Sequence, residues 1–213
     1  GWLADRFGRK RVFLIGTICF TLASLLCASA TTVEEAVLWR LLQGGFGAPL
    51  MPISQAMTLD AFPKERHGTA NTIWGIATMI GPAMGPTIGG LLIEHHSWPW
   101  TFYFGVPFGA AAAVGVWLLV KEEPHHANRP MDWLGFATLI AVVGMLQFIL
   151  NRGERLDWFE STEIVVATAL TAAAFYVFVV HSALARHPFL EPAMFRDRNF
   201  VIGLSLTFVW GFV

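Results

Sequence analysis

The chain has 213 residues, of which 55% are hydrophobic and only 14% charged, and its formal net charge is −1. Soluble domains carry about 25% charged residues, so this composition excludes an ordinary soluble domain, and the lack of a basic excess argues against a nucleic-acid binder. The charges gather in short loops and leave long apolar runs between them, which is the pattern of an all-α integral membrane protein.

The opening GWLADRFGRKR, residues 1–11, sets Asp5, Arg6, Arg9, Lys10 and Arg11 beside an almost uncharged run, with Gly1 and Gly8 flanking Asp5–Arg6. One reading is a solvated basic loop. The fixed glycines favour a turn holding an ion pair, because a carboxylate there can pair with a guanidinium or cap a neighbouring helix. Such contacts form and break as bundles rock, so the turn is a candidate latch. Six whole apolar spans follow, at 12–30, 34–57, 69–93, 101–120, 134–150 and 164–181, and a seventh begins at Phe200. Cys19 and Cys27 share the first span at a separation of about 12 Å along the helix, too far to bridge, and read as small buried residues.

The second span contains Arg40 about one and a half turns from its outer end. A charge near a helix centre costs roughly 2.5–3.5 kcal/mol on insertion scales, so it should face the protein interior; the alternative is that it snorkels to the outer headgroups. Arg40, Gln43, Gly44, Gly47, Met51, Ser54 and Thr58 share one helical stripe, and its polar or small character suits a cavity wall. The third span contains GPAMGPTIGG, residues 81–90. Gly81, Gly85 and Gly89 recur every fourth position near Asn71, Trp74 and Thr78, while Pro82 and Pro86 interleave with them and Gly90 follows. Glycines at this spacing let backbones approach, and each proline removes a donor. A plain packing groove is the bland reading; a bent, closely docked helix with two packings is the sharper one.

The hairpin 134–181 is nearly apolar and reads as a lipid-facing or linking element. Asp60 and His67 flank the loop 58–67 as interfacial caps. His95–His96 and His125–His126 lack further ligands at suitable spacing, so no metal and no cofactor is expected. Eleven of the fourteen Lys and Arg residues fall in the loops 1–11, 58–67, 121–133 and 183–199, which places those loops in the cytoplasm. Trp39, Trp98, Trp100 and Trp158 then lie at the outer interface and Trp133 at the inner one.

GWLADRFGRKR resembles the cytoplasmic loop 2–3 signature of the major facilitator superfamily. Leu38 with Arg40–Leu–Leu–Gln43–Gly44 and Gly47 is similar to that family's fourth-helix motif. Gly81–Pro82 to Gly89–Gly90 resembles the antiporter motif of its fifth helix. GAPLMPISQAM (47–57), WPWTFYFGVPFG (98–109) and HPFLEPAMFRDRNF (187–200) are similar to the EmrB/QacA-like branch of fourteen-helix drug:proton antiporters. Pro99 and Gly105 depart from that branch, where Arg and Asn are common, and bear on the outer gate or substrate preference.

The resemblance implies a partial major-facilitator fold of six complete transmembrane helices and one truncated: a fragment covering helices 3–8 and the start of 9. Residues 1–120 would belong to the N-terminal bundle, 121–199 to a linking region with the extra hairpin, and 200–213 to the start of the C-terminal bundle. It further implies that Gly1, Asp5, Arg6, Gly8 and Arg9 form a conformational latch. Arg40, Gln43, Gly44 and Gly47 would serve proton coupling and the cavity, and Gly81, Pro82, Gly85, Pro86, Gly89 and Gly90 the antiporter hinge. The expected activity is proton-driven export of drugs or other amphipathic compounds across a bacterial cytoplasmic membrane, without a cofactor. The expected partners are the lipid bilayer, the substrates and protons, with a periplasmic adaptor and outer-membrane channel left open. An importer or symporter on the same scaffold, and a non-transporting membrane protein, are the alternatives. An enzyme is disfavoured, since no nucleophile–base pair, His-rich cluster or phosphate loop is visible.

Overall fold

The computed structural model describes residues 2–121, 131–186 and 188–211, and among these the chain forms ten α-helices joined by loops and 3₁₀ turns, with no strand. Gly1, His187 and most of the loop 121–133, including His125, His126 and Arg129, lie outside the described residues. Five helical stretches are long and apolar enough to cross a membrane: Arg9–Ser29, Lys64–His95, Trp100–Leu119, Trp133–Arg152 and Thr162–Leu184. The chain divides into two compact units, Gly1–Asn128 and Arg129–Val213.

In the first unit, α1 (Trp2–Phe7) and α2 (Arg9–Ser29) meet at Gly8. Gly8 has φ 90°, a backbone setting that a Cβ disfavours, and it turns the chain. The expected loop 1–11 is thus two helices around a glycine corner. The first span starts at Arg9 because Arg and Lys are good helix formers and nothing between 9 and 12 interrupts them.

Helix α2 is the centre of this unit, packed against α3 (Val33–Gly47), α4 (Leu50–Asp60), α6 (Trp100–Tyr103) and α7 (Gly105–Leu119). Its buried residues, Gly16, Thr17, Ala23, Ser24, Cys27 and Ala28, are all small, while Ile15, Ile18, Leu22, Leu25 and Leu26 face outward. Lipid tails are as apolar as leucine, so large side chains gain little by leaving lipid, and close backbone approach holds such helices together. A Cβ on Gly16 would lie 2.9 Å from Leu50 Cδ2, and one on Gly109 would strike Thr21 Oγ1.

The expected span 34–57 is interrupted: α3 ends at Gly47 and α4 begins at Leu50. Pro49 and Pro52 have no N–H, so the carbonyls of Gly45 and Ala48 lack their helical donors. The backbone stays right-handed through Ala48 and Pro49, which makes a joint rather than a loop. Pro107 leaves the Tyr103 carbonyl in the same state, and α6 ends there, apart from α7. By contrast α5 (His67–His95) runs unbroken for 29 residues through Pro82 and Pro86.

The second unit is built on α8 (Trp133–Arg152) and α9 (Thr162–Leu184), a hairpin whose core is Ile149, Ile164 and Ala167, with Phe148 and Leu156 against it. Gly153 admits the Trp158 ring, whose Cε3 would be 2.7 Å from an added Cβ, while Asp157 and Trp158 adopt left-handed φ of 53° and 52° to close the connection. At the other end the Asp132 carboxylate caps α8. It accepts from Gly135 N at 2.9 Å, from Phe189 N at 2.9 Å and pairs with His181 Nε2 at 2.7 Å. Burial pushes the Asp132 carboxyl up, but the two backbone N–H groups and then His181 outweigh it, and its pKa falls below the ordinary value. The helix α10 (Arg198–Trp210) follows a 3₁₀ turn and is capped by Asp197, which accepts from Asn199 N.

Candidate functional site

Three clusters in the first unit contain the site residues singled out in the sequence. At the first, Arg40 lies seven residues into α3, about 10 Å from its N-terminal end. Its Nη1 donates to Gln43 Oε1 at 3.1 Å, and its guanidinium carbon stands 4.4 Å from the centre of the Phe102 ring on α6. Gln43 is buried; its Nε2 donates to Ser24 Oγ at 2.5 Å, and Cys27 Sγ lies 4.0 Å from its Oε1. Ser24 in turn donates to the Phe20 carbonyl at 3.1 Å.

The guanidinium is therefore held against α6 by an amide oxygen and an aromatic face, both uncharged. A cation over a ring face gains roughly 0.5–2 kcal/mol depending on desolvation. Such partners orient the cation and leave its charge uncompensated.

The rest of the Arg40 stripe does not form one continuous wall. Gln43 and Gly47 turn toward α2, where a Cβ on Gly47 would stand 3.0 Å from the Phe20 ring. Ser54 is engaged by α5, accepting from Trp74 Nε1 at 3.1 Å, and Gln55 Nε2 donates to Asn71 Oδ1 at 3.2 Å beside it. Arg40 and Gly44 stay exposed within the unit. Ser24, Cys27 and Phe102 were not among the sequence candidates. Ser24 and Cys27 lie on the buried face of α2 at helical spacing, which was the available signal; Phe102 lies 62 positions from Arg40, in the segment 98–109 whose resemblance gave no role to that ring.

The second cluster is at the opposite end. Arg9 Nη1 pairs with the Asp60 carboxylate of α4, both half-exposed. Lys10 Nζ donates to the Trp117 carbonyl at 2.8 Å, in the last turn of α7, where a cation suits the helix dipole. Arg9, Lys10, Asp60 and Lys121 rim a cavity of about 350 Å³ with Met57 and Leu119 in its wall. The carboxylate that holds the guanidinium is thus Asp60 and not the neighbouring Asp5. Asp5 sits in α1, where Arg6 lies over the rings of Trp2 and Phe7 at 5.2 and 5.7 Å. Gly8 forms the corner already described, and Gly1 lies outside the described residues.

The third is the glycine run of α5. A Cβ added at Gly81, Gly85, Gly89 or Gly90 would meet nothing within 4 Å, and Pro82 and Pro86 are exposed. The close docking expected for this face is not made with any described helix. Its openness contrasts with Gly16 of α2 and Gly109 of α7, which are filled by a neighbour.

The Major Facilitator Superfamily model matches residues 1–212. The multidrug export protein EmrB of Haemophilus influenzae is 33% identical over 208 residues, 97% of this chain and 41% of that protein. Multidrug resistance protein 3 of Bacillus subtilis is 33% identical over 212 residues, 99% of this chain and 41% of its own length. The fatty acid resistance protein FarB of Neisseria gonorrhoeae is 31% identical over 208 residues, with 97% and 41% covered. The chain spans about two fifths of the length of these relatives. Apolar membrane-length helices, small-residue packing and a match along nearly the entire chain lead to one assignment: this is a multi-pass membrane protein of the Major Facilitator Superfamily, similar to its multidrug exporters.

Proposed function

We propose that the protein containing this chain exports amphipathic compounds across the bacterial cytoplasmic membrane, driven by protons and without a cofactor or covalent chemistry of its own. The observation that carries this reading is the Arg40 guanidinium, held on α3 by an amide oxygen and a ring face. Among the described residues no carboxylate pairs with it, and such a cation favours the ionised form of any carboxyl brought near, so proton binding and release at such a carboxyl would follow its approach to Arg40. Protonation then shifts the balance between inward- and outward-open states, as differential affinity for two conformations requires.

In this reading Arg40 with Gln43, Gly44 and Gly47 serves the proton step. The Arg9–Asp60 pair, with Asp5, Arg6 and Gly8 around it, acts as the cytoplasmic latch. The open face of Gly81, Pro82, Gly85, Pro86, Gly89 and Gly90 receives a helix whose packing changes between states. The names of the relatives support export as the direction, and partnership with a periplasmic adaptor and outer-membrane channel belongs to the same proposal. Residues 1–120 contribute to the transporting bundle, 121–199 link it, and 200–213 begin the next.

The test is drug-resistance growth of cells carrying the complete protein. Arg40→Ala abolishes resistance while membrane expression stays at the parental level; resistance equal to the parent's removes Arg40 from the mechanism.

A further inference from the structure

The arrangement around Arg40 assigns a job to a residue that carries no charge. Phe102 is half-buried on α6, with its ring edge-on to Trp98 at a centroid distance of 5.9 Å and its face toward the Arg40 guanidinium at 4.4 Å. The same guanidinium donates to Gln43 Oε1 at 3.1 Å. Gln43 itself cannot swing freely, since its Nε2 is bonded to Ser24 Oγ at 2.5 Å and the residue is buried. The amide is a fixed post anchored on α2, and the ring closes the other side.

We infer that Phe102 is a positioning residue for Arg40: its ring face and the anchored Gln43 oxygen together hold the guanidinium at one depth without neutralising it. The alternative for a long cationic side chain this near a helix end is to stretch to the headgroups. An amide acceptor alone leaves that route open, because one hydrogen bond fixes neither the plane nor the reach of a guanidinium with five donors. A ring face fixes both. It attracts the cation through its negative quadrupole and, being neutral, leaves the charge available to act on a carboxyl. A carboxylate in the same place would hold Arg40 more strongly and cancel it. Because α6 ends at Tyr103, where the chain passes through Phe104 into α7, the ring sits in the first turn of the Trp100–Leu119 stretch, ahead of the joint.

The inference rests on the export reading for its consequence but not for its geometry, so the test has two arms. In the complete protein in lipid nanodiscs, with arginine isotopically labelled and Arg40→Lys used for assignment, the Arg40 side-chain proton signals carry a ring-current shift. That shift is retained in Phe102→Tyr and lost in Phe102→Leu. In proteoliposomes, Phe102→Leu lowers turnover about ten-fold, the scale of one desolvated cation–π contact, with KM for the drug unchanged, and Phe102→Tyr restores turnover.

Where Phe102→Leu fails to fold, pentafluorophenylalanine at position 102 keeps the ring's shape and removes its negative face, and turnover falls in the same way. An Arg40 signal indifferent to the Leu and Tyr variants overturns the inference. So does parental turnover in the Leu or the pentafluoro protein. A parent that shows the ring-current shift but moves no drug leaves the positioning intact and sinks the export reading instead.

Discussion

Asp132 shows how much a single carboxylate can organise. It ends α8, receives the backbone of Phe189 and pairs with His181 in the last turn of α9, so one residue joins three segments of the second unit. Gly135 is required beside it, because a Cβ there would collide with Asp132 Oδ2. Loss of an N-cap costs about 1 kcal/mol. Asp132→Ala therefore lowers the melting temperature of the second unit in detergent, whereas Asp132→Asn, which still caps but carries no charge for His181, lowers it less. Equal losses would reduce the site to its charge pair. The pH dependence has a definite sign. The folded pKa lies below the ordinary value of 3.8, so the contribution is fully present above that value and disappears as pH falls through the lower folded one. Between pH 5 and 8 Asp132 stays ionised, so its own protonation does not change stability there. The Arg40 cluster is the counterpart in the first unit, and there the cation and its neighbour Gln43 could be read from the sequence. Ser24, Cys27 and Phe102 come from α2 and α6, and a polar stripe cannot announce a neutral ring on another helix.

At the scale of elements, the membrane helices were legible because apolar runs of this length admit few other structures in lipid. Their interruptions were not. Pro49, Pro52 and Pro107 mark joints, yet Pro82 and Pro86 sit in a helix without a break, and a missing donor alone does not separate the cases. The role of small residues was legible only in part. The Gly81–Gly90 run stood out by its spacing but is open among the described residues, while Gly109, in the single Gly105–Gly109 repeat of α7, is the one pressed hardest against a neighbour. That pressure gives a prediction. Gly109→Ala forces α7 away from Thr21 and destabilises the unit by about 1–3 kcal/mol, the usual cost of overpacking. Adding Thr21→Ala recovers most of it, since the two sites share one contact. Thermal unfolding of the three variants measures the coupling; a double variant no more stable than Gly109→Ala would place the strain elsewhere.

For the whole molecule, the contact of greatest consequence joins residues 51 positions apart, Arg9 and Asp60. Periodicity organises neighbours on one helix and cannot match a guanidinium at the start of α2 with a carboxylate at the end of α4. As an exposed pair it contributes about 0–1 kcal/mol to stability, so the proposed latch role is tested by function and not by melting. Arg9→Asp and Asp60→Arg each reduce drug-resistance growth of the complete protein without lowering its expression, and the charge-swapped double variant regains part of it. A double variant no better than either single one would show that the pair does not act as a unit.

The joint at Ala48–Pro49 bears on how these two ends communicate. Arg40 rides one rod and Asp60 the other, and the two carbonyls left without donors make the stretch between them easier to twist than continuous helix. The two rods therefore meet at a hinge and not in a rigid shaft, and bending at residues 48–49 changes the angle between them at low cost. Alanine at both prolines would restore the two hydrogen bonds and make 33–60 one stiff rod.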